Sequence, residues 1–235
     1  MYLILFWLTV LFQAVCLPFY IDFRFDKIPY KLQKMICSTL FLLAGVFAFL
    51  YAGNLTAYPI LILSAFVMSW VGDLVLSSSS KGVNFIVGLL SFLIAHVLFV
   101  TAFCVAGNRV YGAKYVTVYE VLAALLIVAV FYILSRRLKL ELGEMLAPVL
   151  IYAAAISMMV VKAASVGAAA IAAKSENAYL ILCLMCAAAL LFVCSDAMLV
   201  VIIFKDKRNQ KTELINIGTY YIAQMIFAGS IMLLS

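Results

Sequence analysis

The sequence predicts an all-α, polytopic membrane bundle of about eight transmembrane helices, on the strength of its composition, its apolar run lengths and the placement of its basic residues. Of its 235 residues, 69% are hydrophobic and 11% are charged, with a mean hydropathy of +1.23. A soluble domain carries roughly 25% charged residues, so this chain has too little charge to coat a water-soluble globule. A bilayer hides the apolar surface instead. At this length the whole chain, 1–235, reads as a single integral membrane domain.

A spanning helix needs about 20 mostly apolar residues. Such runs occur at 2–20, 35–53, 58–76, 85–106, 116–134, 146–166, 179–204 and 214–234. The first has no basic n-region and no small-residue cleavage site, so it reads as a spanning helix rather than a cleaved signal. Pro59 and Pro148 fall near the starts of their runs, where proline is tolerated. Short polar stretches such as AGNLTA and SRRLKLELGE separate the runs, which makes sequential helices antiparallel neighbours. The runs are continuously apolar rather than alternating, which excludes a β-barrel. There is no internal repeat, and no low-complexity segment beyond Ser77–Ser80.

The basic residues alternate along the chain. Odd-numbered connections carry Arg24, Lys27, Lys31, Lys34, Lys81, Arg136, Arg137, Lys139, Lys205, Lys207, Arg208 and Lys211, whereas even-numbered ones carry only Arg109, Lys114 and Lys174. By the positive-inside rule the odd connections face the cytoplasm and both termini lie on the non-cytoplasmic side. Such short clusters between apolar runs set orientation, so the net charge of +6 does not point to nucleic acid. The shortness of the loops points to a bacterial inner membrane.

Ionisable residues within spans are costly and are functional candidates by default. They are Asp73, His96, Glu120, Lys162 and Asp196. Glu120 and Lys162 fall near outer helix ends, from which long side chains are expected to snorkel to water. Aspartate is too short for that. Asp73 and Asp196 lie in the third and seventh spans, roughly 5 and 12 Å from the cytoplasmic ends at 1.5 Å per residue. If they converge in a low-dielectric pocket, one carboxyl holds its proton while the other carries charge, the division of labour that acid–base catalysis needs. Two aspartates can equally hydrogen-bond neighbouring helices, or carry protons or cations in a proton-coupled transporter or channel.

The lone histidine, His96, shares a helix face with Gly88, Phe92, Phe99 and Phe103. No second histidine or cysteine–carboxylate cluster completes a zinc site, so no metal is expected. The six cysteines all sit in or beside apolar runs and read as small packing residues, Cys183-x-x-Cys186 included. On the last span Tyr220 and Gln224 share a face, and Tyr152 on the sixth lies at similar depth.

Several blocks together resemble the YhhN family of lysoplasmalogenases. They are Gly72-Asp73, Gly88-x3-Phe92-x3-His96-x2-Phe99-x3-Phe103, Tyr152-x3-Ile156-x2-Met159-x3-Ala163, Leu191-Phe192-x2-Ser195-Asp196 and Tyr220-Tyr221-x-Ala223-Gln224. The resemblance implies hydrolysis of the vinyl-ether bond of a lysophospholipid, without cofactor, to a fatty aldehyde and a glycerophospho-ethanolamine or -choline. It makes Asp73 and Asp196 the catalytic pair, with Lys34, His96, Tyr152, Tyr220, Tyr221 and Gln224 lining the substrate site. At Lys34 the family commonly has proline soon after the lysine, where this chain reads Lys34-Met35-Ile36-Cys37. A diaspartyl intramembrane protease is disfavoured, because Trp70-Val71-Gly72-Asp73 lacks the earlier glycine of a Gly-x-Gly-Asp motif and no tyrosine precedes Asp196.

Overall fold

The computed structural model describes residues 1–21, 29–78, 82–205 and 209–234. Arg24, Lys27, Lys81, Lys207 and Arg208 of the charge alternation, with Ser79 and Ser80 of the serine run, lie outside the described residues. Eight helices follow one another: α1 (Tyr2–Ile21), α2 (Tyr30–Ala52), α3 (Ala57–Ser78), α4 (Gly82–Tyr111), α5 (Val118–Arg137), α6 (Leu146–Ala172), α7 (Ala178–Lys205) and α8 (Gln210–Leu234). All are long and apolar enough to cross a membrane, and the chain is a multi-pass membrane protein. No strand occurs among the described residues.

The helices outrun the apolar runs, since α2 begins at Tyr30, α4 continues to Tyr111 and α8 begins at Gln210. Hydropathy marks where the chain is apolar, whereas backbone hydrogen bonding continues through polar residues that still reach the interface. This extension draws Lys34 and Lys211 into helices. Termini follow local chemistry. Gly53 ends α2 at φ +67°, a left-handed conformation that glycine adopts without penalty. A capping box opens α5: Thr117 Oγ1 accepts the Glu120 N–H at 3.3 Å, and Glu120 Oε2 accepts the Thr117 N–H at 2.7 Å.

Six helices form a ring. α2, α3, α4, α6, α7 and α8 pack on one another in that order, and α8 closes the ring on α2. α1 lies outside on α2 and α8, and α5 lies outside, mainly on α6. The odd helices finish at the end of the bundle where the even ones start. That end carries the described residues Lys31, Lys34, Arg136, Arg137, Lys139, Lys205 and Lys211 and is the basic end of the bundle.

The expected snorkelling of Glu120 and Lys162 does not occur. They are 8% and 2% exposed, and Lys162 Nζ lies 2.9 Å from Glu120 Oε1 and 3.4 Å from the Lys114 carbonyl. They face each other across the α5–α6 contact, so pairing in place supplies the counter-charge that each would otherwise seek in water. The pair tethers the outlying α5 to the ring.

The middle of the ring is filled by fully buried aromatic rings: Phe41, Phe66, Phe99, Phe103, Phe192 and Phe227. Phe99 packs on Phe227 at 4.9 Å between centroids and on Phe66 at 6.0 Å. Close-packed glycines set helix spacing, Gly72 and Gly167 among them. A Cβ at Gly72 would come within 2.7 Å of the Phe92 ring, and one at Gly167 within 2.5 Å of the Leu182 Cα. The first brings α4 against α3 beside Asp73, and the second lets α6 and α7 touch backbone to backbone.

Candidate active site

With the ring's middle filled, open space remains at its basic end, where all six ring helices bring ionisable groups together. Asp73 sits in the last turns of α3 and is 1% exposed. Three donors hold it: Lys34 Nζ is 3.1 Å from Oδ1, Ser38 Oγ donates to Oδ2 at 2.7 Å, and Tyr220 OH donates to Oδ2 at 2.8 Å. Lys34 and Ser38 are one turn apart on α2, so one face supplies both. Tyr221 OH donates to the Lys34 carbonyl at 3.1 Å and stands 3.0 Å from Ser38 Oγ. The buried carboxylate thus has a counter-charge and fixed dipoles in place of water.

Asp196, on α7, is held differently. Tyr152 OH, from α6, donates to its Oδ2. His96 Nε2, from α4, lies 2.8 Å from the Tyr152 hydroxyl and 3.3 Å from the same Oδ2. Since the tyrosine proton points to the carboxylate, the histidine nitrogen facing both oxygens is the one that carries hydrogen. His96 is fully buried, and its Nδ1 has no partner among the described residues. The Asp196 side chain is 14% exposed against 2% for Asp73, and among the described residues the partners of Asp196 meet its Oδ2.

The two aspartates line one cleft of about 30 Å³, together with Lys34, Tyr220, Tyr221, Ser195 and Asn216. That is room for a water molecule or a small polar group. A second, apolar cleft of about 40 Å³ lies on the other side of Asp196, walled by Phe85, Leu89, Val149, Val200, Ile203 and Phe204, with Tyr152. The clefts share Leu76, Phe92, Asp196 and Leu199. Asp196 therefore stands on the boundary between a polar space and an apolar one. Tyr220 joins the two halves: it bonds Asp73, lies within electrostatic reach of Asp196, and packs on Phe192 at 5.3 Å, whose ring meets His96 at 4.9 Å.

Of the residues expected to line the site, Lys34, Tyr152, Tyr220 and Tyr221 reach a cleft, and His96 reaches Asp196 from behind. Gln224 does not. It is fully buried one turn below Tyr220, backs that tyrosine and lines neither cleft. The helical step from Tyr220 that gave it the same face also carried it into the packed middle of the ring. Sequence reasoning missed Ser38, although the Lys34-x3-Ser38 spacing signals a shared face. It also missed the bonds from Asn216 Nδ2 to the Ser195 carbonyl (2.9 Å) and Oγ (3.2 Å), which tie α8 to α7 beside Asp196.

All six cysteines are free thiols. Among the described residues no three His, Cys, Asp or Glu side chains gather as a metal cage. The sequence model of the YhhN family matches residues 32–231, which takes in α2 to α8 and both aspartates. No curated protein and no solved structure matches the chain.

Proposed function

The chain belongs to the YhhN family, and on that footing we propose that it hydrolyses the vinyl-ether bond of lysoplasmalogens, with Asp196 as acid and Asp73 as its charged partner. The observation that carries this reading is the unequal treatment of two carboxyls in one cleft. Asp73 is clamped by an ammonium and two hydroxyls, whereas Asp196, at the border of polar and apolar space, has an oxygen that no described residue engages. The polar cleft beside Lys34 has room for the attacking water, and the apolar one brings hydrocarbon surface up to Asp196, as a vinyl-ether carbon approaching that carboxyl needs.

Asp196 transfers its proton to the β-carbon of the vinyl ether, and the ether oxygen donates electron density to form an oxocarbenium ion. The fixed negative charge of Asp73 stabilises that cation, as paired carboxylates do in glycoside hydrolysis. Water adds to the α-carbon, giving up a proton to the Asp196 carboxylate, which Tyr152 and His96 hold in position. The hemiacetal then collapses to a fatty aldehyde and the glycerol hydroxyl of the glycerophospho-base. Only a proton and a water molecule are exchanged, so the chemistry calls for neither an electron acceptor nor a hydride.

In this reading the basic end faces the cytoplasm, a placement supported by its lysines and arginines, and both termini lie outside. The short connections support a bacterial inner membrane. The test is aldehyde release from a lysoplasmalogen by the purified protein in detergent. Asp73→Asn and Asp196→Asn are each expected to lose about 10²- to 10⁴-fold in turnover while remaining folded. Full activity in either variant overturns the dyad. Ion flux in liposomes without aldehyde release from any vinyl-ether lipid favours a proton-coupled transporter instead.

A further inference from the structure

A far larger open space than the cleft lies on the flank of the bundle. A lateral groove of about 1080 Å³ runs between α1 and α7, with α8 as its floor. Apolar side chains such as Trp7, Leu17, Leu184, Leu214, Ile222 and Ile226 line it. Its floor reaches from Lys211 to Leu233, roughly 33 Å at 1.5 Å per residue, the thickness of a bilayer's hydrocarbon core.

Three features distinguish the groove from an ordinary lipid-facing surface. Lys211 stands at its basic end and is the charged residue lining it. Gln13 of α1 also lines it, 3% exposed, and apart from the Cys37 thiol its amide finds no partner among the described residues. Cys37 precedes Ser38, so this amide is level with the Asp73 network. Thirdly, Tyr221 lines both the groove and the polar cleft, so one aromatic ring separates them.

We propose that this groove is a binding site for a single-chain phospholipid, which loads the cleft from the side. The inference rests on the lipid-hydrolase reading for the fate of the bound lipid, but not for binding itself. The phosphate pairs with Lys211. Ten residues of α8, about 15 Å, separate Lys211 from Tyr221, a span suited to a lysine side chain and a glycerophosphate in series. An oxygen of the glycerol–chain linkage then lies at the level of the Gln13 amide and supplies its missing partner. The chain lies along α8 over Gly218 and Gly229, whose lack of side chains deepens the floor.

The test uses a diazirine-tailed 1-acyl lysophosphatidylethanolamine, which has no vinyl ether and so reports binding without turnover. Photolabelling of the full chain in nanodiscs is expected to concentrate on Leu184, Leu214 and Ile222. Gly218→Leu fills the groove without a clash, since nothing lies within 4 Å of a Cβ there, and is expected to cut that labelling about tenfold, as is Lys211→Glu. Labelling spread evenly over the outward faces of α4 and α5 overturns the proposal, as does labelling insensitive to Gly218→Leu, or cross-linking of a second copy through the groove. Groove labelling without aldehyde release from vinyl-ether lipids keeps the groove and overturns the hydrolase. Aldehyde release with uniform labelling overturns the groove alone.

Discussion

Lys34 Nζ lies 3.1 Å from Asp73 Oδ1, joining the start of α2 to the end of α3 inside the bundle. Breaking a buried ion pair from one side leaves an uncompensated charge, typically at a cost of about 3–5 kcal/mol. Lys34→Met is therefore expected to lower the unfolding midpoint in detergent, and the double variant Lys34→Met/Asp73→Asn to recover much of the loss. Additive losses in that cycle would show that the two groups do not interact.

Asp196 leans on a single hydroxyl donor, Tyr152, with His96 behind it. Tyr152→Phe keeps the ring and removes the donor. Its expected effect is a loss of about 10- to 100-fold in turnover, at the lower end of what a positioned acid–base group supplies. Stability should change little. His96→Gln, which keeps one donor, should retain more activity than His96→Leu, and equal activities would remove the histidine from the network.

The Glu120–Lys162 pair sits at the end of the bundle opposite the cleft and ties down α5. Lys162→Met strands a buried carboxylate and is expected to destabilise the protein by about 3 kcal/mol or more. Adding Glu120→Gln removes the charge but keeps a residue able to complete the capping box with Thr117, so the double variant should be more stable than Lys162→Met. Thermal melts of the three variants decide this, and turnover of the double variant should match the parent.

Gly72 and Gly167 separate site effects from fold effects. Gly167→Ala drives a methyl group into the Leu182 backbone, which cannot yield, and is expected to cost about 1–3 kcal/mol. Gly72→Ala displaces the Phe92 ring, which walls both clefts. Its larger effect is expected on turnover. Equal activity and equal melting for Gly72→Ala and the parent would show that Phe92 is not held in place by that close approach.

The eight spans are legible in the sequence alone, because the cost of placing a segment in hydrocarbon is summed along the chain and needs no partner. The same sum singles out Asp73, Asp196 and His96, since a short or lone polar side chain far from the interface stands out against its run. Which face of each helix turns inward could not be read that way. Lipid and helix neighbours are equally apolar, so the spans lack the polar outer face that orients a helix in water. Tertiary packing alone decided that α5 leaves the ring, that Lys162 turns to Glu120 instead of to water, and that Gln224 sinks below the cleft while Ser38 bonds Asp73. It also decided the groove beside Tyr221. Polar groups in a low-dielectric interior settle on whichever partner the packing brings within reach, and that partner is usually distant in sequence.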